Sequence, residues 1–151
     1  MIFDRTQNDV DTAILLINTK VKNFETLTES EIATLEKGTI TYNTLNRIEN
    51  KQELLKGLFN EMGYWNTPIT NKVWGENDIF NVDDFQRIID NTNVLRNAFF
   101  VYNNTPNTPP ISYHYNDINA LEKILYDLDV MISNVKADYR FCGEFECAEL
   151  I

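Results

Sequence analysis

The sequence predicts an all-α fold: a single-domain bundle of about five helices, with aromatic and proline-rich connecting loops and a short extended C-terminal tail. Three observations carry this. Apolar residues recur every three or four positions along most of the chain. The runs open on Thr or Asn, usually with an acid close behind, as a helix N-cap does. Glycine follows the last apolar residue of two runs, where helices commonly stop. The bundle is expected to occupy residues 1–140 and the tail residues 141–151.

The first helix opens at Thr6, with Asp9 three positions on. Val10, Ile14, Ile17 and Val21 then form one face, widened by Leu15 and Leu16. Thr28 and Glu31 open a second, shorter helix through Ile32 and Leu35. Gly38 ends it, since glycine accepts positive φ without strain. Asn43 or Thr44 opens a third, whose stripe is Leu45, Ile48, Leu55, Phe59 and Met62. Polar Gln52 sits in the seam, Leu54 and Leu58 flank it, and Gly63 ends the helix. Gly57, inside this helix, costs roughly 1 kcal/mol against alanine; close helix packing is the expected reason for it.

Residues 64–77 break the periodicity. Two tryptophans, a tyrosine and Pro68 predict a loop pinned by aromatics, with a short extended piece at Lys72–Trp74. Asp78 or Asn81 caps a fourth helix, striped by Phe85, Ile88, Leu95, Phe99 and Tyr102 with Thr92 in the seam. After a proline-rich loop, Asn116 caps a fifth. Ile118, Leu121, Leu125, Leu128, Ile132, Val135 and Tyr139 keep the three-four spacing unbroken. Such stripes pack long helices at about 20° in a bundle. In the tail, Phe141, Gly143 and Phe145 alternate, which predicts extended chain.

The chain has 151 residues, 43% of them apolar and 12% aromatic, enough for one core and too apolar for disorder. Its net charge of −10 repels polyanions, so neither nucleic acid nor an anionic membrane face is an expected partner. No apolar run approaches the roughly 20 residues that span a bilayer. The N-terminus, "MIFDRTQND", carries acids where a secretion signal needs a basic stub and an apolar stretch. The bacterial cytoplasm during synthesis is the expected location, and a virion if the chain is incorporated in one.

No catalytic constellation, cofactor cradle or metal cluster emerges, and the chain is expected not to be an enzyme. The five glycines are scattered, so no phosphate-binding loop forms. Zinc needs four ligands. One histidine, His114, and two cysteines, Cys142 and Cys147, supply three. The cysteines read as free thiols; a bridge between them requires their segment to fold back. His114 would need an orienting acid, for which Asp117 is nearest in sequence. Asp127 and Asp129 point to different sides of their helix, and Glu122 and Lys123 read as solvated positions.

Surfaces remain. Tyr64, Trp65, Trp74, Tyr113 and Tyr115 lie in loops, where Tyr and Trp serve either as interface anchors or as plugs for the bundle ends. Three of the four prolines and the histidine fall within "NNTPNTPPISYHYND" at 103–117. Pro106, Pro109 and Pro110 stiffen this stretch toward the polyproline form. It reads as a strap, lying along the bundle or against another subunit. The candidate partner-binding residues are Tyr64, Trp65, Trp74, Pro109, Pro110, Tyr113, His114 and Tyr115.

An ordered set of segments, "RTQNDVD", "LTESE", "YNTLNRIE", "MGYWNTPI", Trp74 followed by "NDIF", "NTPPIS", "DINALEKILYDLDVMI" and "CGEFECAE", runs nearly end to end. It resembles the phage and prophage tail or baseplate-associated structural proteins of gut Firmicutes. The resemblance implies a non-enzymatic module of a phage tail, acting in virion assembly or as an N-terminal attachment domain. It implies partners among neighbouring tail proteins or copies of the chain itself, since tail parts are symmetric. The alternative is a small acidic inhibitor that mimics nucleic acid to block a host enzyme. Against it, the acids are spread along the chain and mixed with thirteen bases.

Overall fold

The computed structural model describes residues 1–64 and 68–148, with side chains described through residue 138. Among the described residues there are five α-helices and no strand: α1 (Gln7–Thr19), α2 (Glu29–Gly38), α3 (Tyr42–Glu61), α4 (Val82–Ala98) and α5 (Tyr115–Ala148). The chain is an all-α single domain.

The core lies where α3, α4 and α5 pack pairwise. Leu45, Ile48, Leu55 and Phe59 of α3 meet Phe85, Ile88 and Leu95 of α4. Ile118, Leu121, Leu125, Leu128 and Ile132 of α5 close the bundle, all buried as the three-four spacing requires. Each such side chain contributes roughly 1.5–3 kcal/mol of apolar burial. The two polar seam residues find each other. Gln52 Nε2 donates to Thr92 Oγ1 at 2.9 Å and to the Ile88 carbonyl at 2.8 Å. A buried amide is costly unless paired, so this contact favours one register of α3 on α4.

The helix starts follow local chemistry. Thr6 with Asp9, and Thr28 with Glu31, form full capping boxes. Thr41 caps α3, two or three residues before the expected start, and Asn81 caps α4. α5 begins at Tyr115, one residue before its expected cap Asn116, and His114 Nδ1 accepts from the Asn116 N–H at 3.3 Å. At the end of α3, Gly63 has φ 87°, and the following Tyr64 N–H bonds back to the Phe59 carbonyl. That left-handed cap needs glycine.

Several expectations are corrected. Gly38 has no positive φ; it belongs to the last turn of α2, and a Cβ there would collide with the α1 backbone. Gly57 faces open space, so close packing does not explain it. α4 stops at Ala98, before Phe99 and Tyr102. α5 continues through Ala148, where an extended tail was expected from 141; Glu144, Glu146 and Ala148 favour a helix, and no proline interrupts them. Residues 149–151 lie outside the described residues. Glu122 is buried rather than solvated, and Asp127 is buried too.

Two carboxylates staple the irregular segments to the bundle. Glu49 receives the Trp74 indole N–H at 2.7 Å, the Lys72 N–H at 2.5 Å and both terminal nitrogens of Arg87 at 2.7 and 2.8 Å. This pairing raises the Arg87 pKa above its ordinary value. Asn46 bonds both backbone groups of Trp74. Glu122 receives Arg5 Nη1 at 2.6 Å, Arg47 Nε at 2.7 Å and the Ile2 N–H at 3.2 Å, tying the first residues to α5. Each carboxylate has its oxygens occupied by charge-assisted bonds, which suits anchoring.

α1 and α2 form an antiparallel hairpin that packs chiefly on itself and makes no comparable contact with α3–α5. Gly38 lets α2 approach Asp9 and Ala13 of α1. Lys20 and Glu31 pair at 2.6 Å at the other end. Between the two helices a single 3₁₀ turn, Val21–Asn23, leads into Phe24 at φ 57°.

Candidate functional site

The structure does not gather the eight expected contact residues at one site. Trp74 is 3% exposed and edge-on to Phe80, and Pro109 is also buried; both belong to the packed body. Trp65 lies outside the described residues. Tyr64 packs edge-on against Phe99 at 5.2 Å and lines a shallow cleft of about 540 Å³ with Phe100, Tyr102 and Met131.

Tyr113, His114 and Tyr115 come together at the start of α5. Tyr113 stacks on Phe85 with ring centres 5.2 Å apart, and His114 lies against Tyr115 at 4.3 Å. With Arg5, Val10 and Ile40 these three line a second cavity of about 300 Å³ between the hairpin base and the bundle. The two cavities sit some fifteen residues apart along α5, about 22 Å at helical rise. Pro110 is exposed.

The strap lies along the bundle. Arg96 Nε donates to the Pro106 carbonyl at 3.0 Å, and Thr105 Oγ1 donates to buried Asp127 at 2.8 Å. The prolines lower the entropy this docking costs. His114 holds the helix start through Nδ1, and its backbone carbonyl accepts from the Asp117 N–H. Among the described residues no cluster of His, Cys, Asp or Glu could hold a metal ion, and no helix is long and apolar enough to cross a membrane.

The most exposed large apolar side chain lies elsewhere, on the hairpin, while Val73, Ile79 and Phe100 are exposed outside it. Phe24 is 97% exposed, Ile14 50%, Ile32 46% and Val21 40%. The stripe of Val10, Ile14, Ile17 and Val21 is rotated about 90° from the face of α1 that meets α2, by 100° per residue. Antiparallel pairing puts Ile32 on the same side of the seam. Val10 at the base lines the cavity, Ile17 is half-buried, and Ile14 and Val21 are exposed. Phe24 adds a left-handed backbone, which costs a bulky L-residue about 1–2 kcal/mol. An exposed aromatic held at that cost gains nothing inside the monomer.

Sequence reasoning predicted the α1 stripe but assigned it to the core. Only the hairpin's position, off to one side, makes it a surface. Phe24 falls between periodic segments, and no local signal distinguishes it. Comparison with protein-family models, with curated proteins and with solved structures finds no match to this chain.

Proposed function

We propose that the chain is a non-enzymatic assembly module that joins a second copy of itself through the uncovered hairpin face, as a structural part of a phage or prophage tail. The uncovered run of Ile14, Val21, Phe24 and Ile32 carries this proposal. Exposed apolar surface of this kind marks interaction sites. Lys22, Glu25 and Glu29 border it with both signs of charge. A self-complementary interface needs both signs, because a surface as acidic as the whole chain would repel its own copy. The resemblance of the ordered segments to tail and baseplate-associated proteins suggests the setting, and the saturated Glu49 and Glu122 support a scaffolding role for the buried charges.

The test is sedimentation velocity across a range of concentrations. The wild-type chain is expected to self-associate. Phe24→Asn combined with Ile32→Gln is expected to stay monomeric with an unchanged melting temperature, since asparagine tolerates the left-handed backbone. A wild-type chain that stays monomeric at every concentration overturns self-assembly and leaves a neighbouring tail protein to be found by pull-down. A variant that associates like wild type removes the hairpin from the interface.

A further inference from the structure

The cleft beside Tyr64 has a chemistry that self-assembly through the hairpin does not use. α3 and α4 run in the same direction: Glu49 meets Arg87, Gln52 meets Thr92 and Phe59 meets Phe99. Their C-terminal ends therefore arrive together at one end of the bundle. The cleft lies there, between Tyr64, the last turn of α4 and α5. Its volume, about 540 Å³, falls in the range of small-ligand sites.

Four aromatic side chains, Tyr64, Phe99, Phe100 and Tyr102, make up half of its eight lining residues. Tyr64 stands at 89° to Phe99, and Phe99 at 69° to Phe100. Rings set across one another suit a compact guest that touches several of them, whereas a flat guest needs a parallel slot. Phe59, fully buried, packs on both Tyr64 and Phe99, and Asn134 donates to the Tyr102 hydroxyl at 3.1 Å. The wall is thus held in place, yet Phe100 is 69% exposed and open to a ligand.

The field at this end is negative, because helix C-termini carry the negative pole of the helix dipole. α1, α2 and α3 each close with a backbone N–H bonded back into the helix. α4 does not. Phe99 turns straight into extended backbone, and among the described residues no N–H beyond the helix returns to it. Asn97 and Ala98, from that open turn, line the cleft. Arg96, the basic residue of the turn, is drawn away to the Pro106 carbonyl and Asn107 in the strap. Lys136, which follows Val135, is matched by Glu61 at 2.8 Å. Among the described residues no charged side chain lines the cleft.

We propose that this cleft binds a small quaternary ammonium ion of the choline kind. Its positive charge is drawn to aromatic faces and to the open end of α4. With no carboxylate in the wall, a primary ammonium would lose its hydrogen bonds to water without replacement. A quaternary ion has no N–H to lose, and its methyl groups suit the apolar wall. The ion is free rather than a phospholipid headgroup, because a headgroup's phosphate would sit against the same negative pole.

Choline is the probe, titrated into the full chain at constant ionic strength and followed by amide NMR. Its uncharged isostere, in which a tert-butyl group replaces the trimethylammonium, is the control. Choline is expected to give saturable shifts at Asn97–Tyr102 and Met131–Val135, with a Kd of roughly 1–30 mM, the affinity that a few solvent-exposed rings support. The isostere should bind about fivefold more weakly or worse. Phe100→Leu keeps an apolar side chain at an exposed position and removes one π face. It should weaken choline about threefold or more and leave the isostere unchanged. Phosphatidylcholine vesicles should not carry the chain in a flotation assay. Equal affinity for choline and its isostere overturns the proposal and leaves a merely apolar cleft. So do the absence of saturable binding up to roughly 100 mM, undiminished choline binding by Phe100→Leu, and flotation with the vesicles.

Discussion

Gly38→Ala adds one methyl group at the tightest point of the α1–α2 hairpin. The new Cβ falls on the Asp9 carbonyl oxygen and 2.5 Å from the Ala13 Cβ, closer than the 3.0 Å that real Cβ atoms respect. Both obstacles are backbone or Cβ, so no rotamer change relieves them and the helices must part. Overpacking of this kind costs about 1–3 kcal/mol. Helix propensity works the other way, by at most about 1 kcal/mol. The φ of Gly38 is not in the left-handed region, so no backbone penalty enters. The net effect is a loss of about 0–2 kcal/mol. Gly57→Ala is the internal control, because a Cβ there meets nothing within 4 Å. Propensity acts alone at that site and should stabilise by about 1 kcal/mol. The two variants should therefore differ by about 1–3 kcal/mol, or roughly 2–12 °C in melting temperature for a chain of this size. Thermal unfolding measures the difference, and hydrogen exchange should show faster opening of the Asp9–Leu16 amides in Gly38→Ala alone. A Gly38→Ala variant as stable as Gly57→Ala would refute the close approach of α1 and α2.

Beyond the sedimentation experiment, two further outcomes are expected. Glu122→Gln removes the carboxylate shared by Arg5 and Arg47 and should cost about 3–5 kcal/mol in urea unfolding; a loss under about 1 kcal/mol would mean the two guanidinium groups are not held by that charge. Acid should loosen the hairpin before the bundle. The Thr6 bonds hold the Asp9 carboxyl below its ordinary pKa, and Lys20 followed by the Thr28 N–H does the same for Glu31. In both cases the unfolded state binds more protons, so the stabilisation is complete above the ordinary carboxyl value of about 4 and disappears as pH falls through the folded values. Exchange of hairpin amides measured from neutral pH downward checks this, and simultaneous opening of hairpin and bundle would contradict it.

The helices were legible because their signals are local. A Thr with an acid three residues on, and apolar residues every three or four positions, act within one or two turns, so α1, α2 and the long apolar face of α5 follow from neighbours in the sequence. Even Gln52 and Thr92 stood out as polar residues in apolar stripes. Their pairing with each other, across forty positions, did not. Gly38 shows the limit well: the residue was visible as a helix end, but the reason for it is the backbone of another helix.

The same limit governs the candidate sites. Tyr113, His114 and Tyr115 were singled out as loop aromatics, and they do gather at one cavity, but Arg5 enters it from more than a hundred residues away. Trp74 carried the same loop signature and is buried on Glu49. Glu122 looked like one of many surface acids until Arg5 and Arg47 closed on it. By itself the sequence determined an all-helical chain, its caps and the greasy faces that must be hidden, because dihedral preferences and side-chain spacing act along the chain. Only the tertiary structure decided which of those faces stays uncovered and which charges are buried together, because burial depends on what the fold brings alongside.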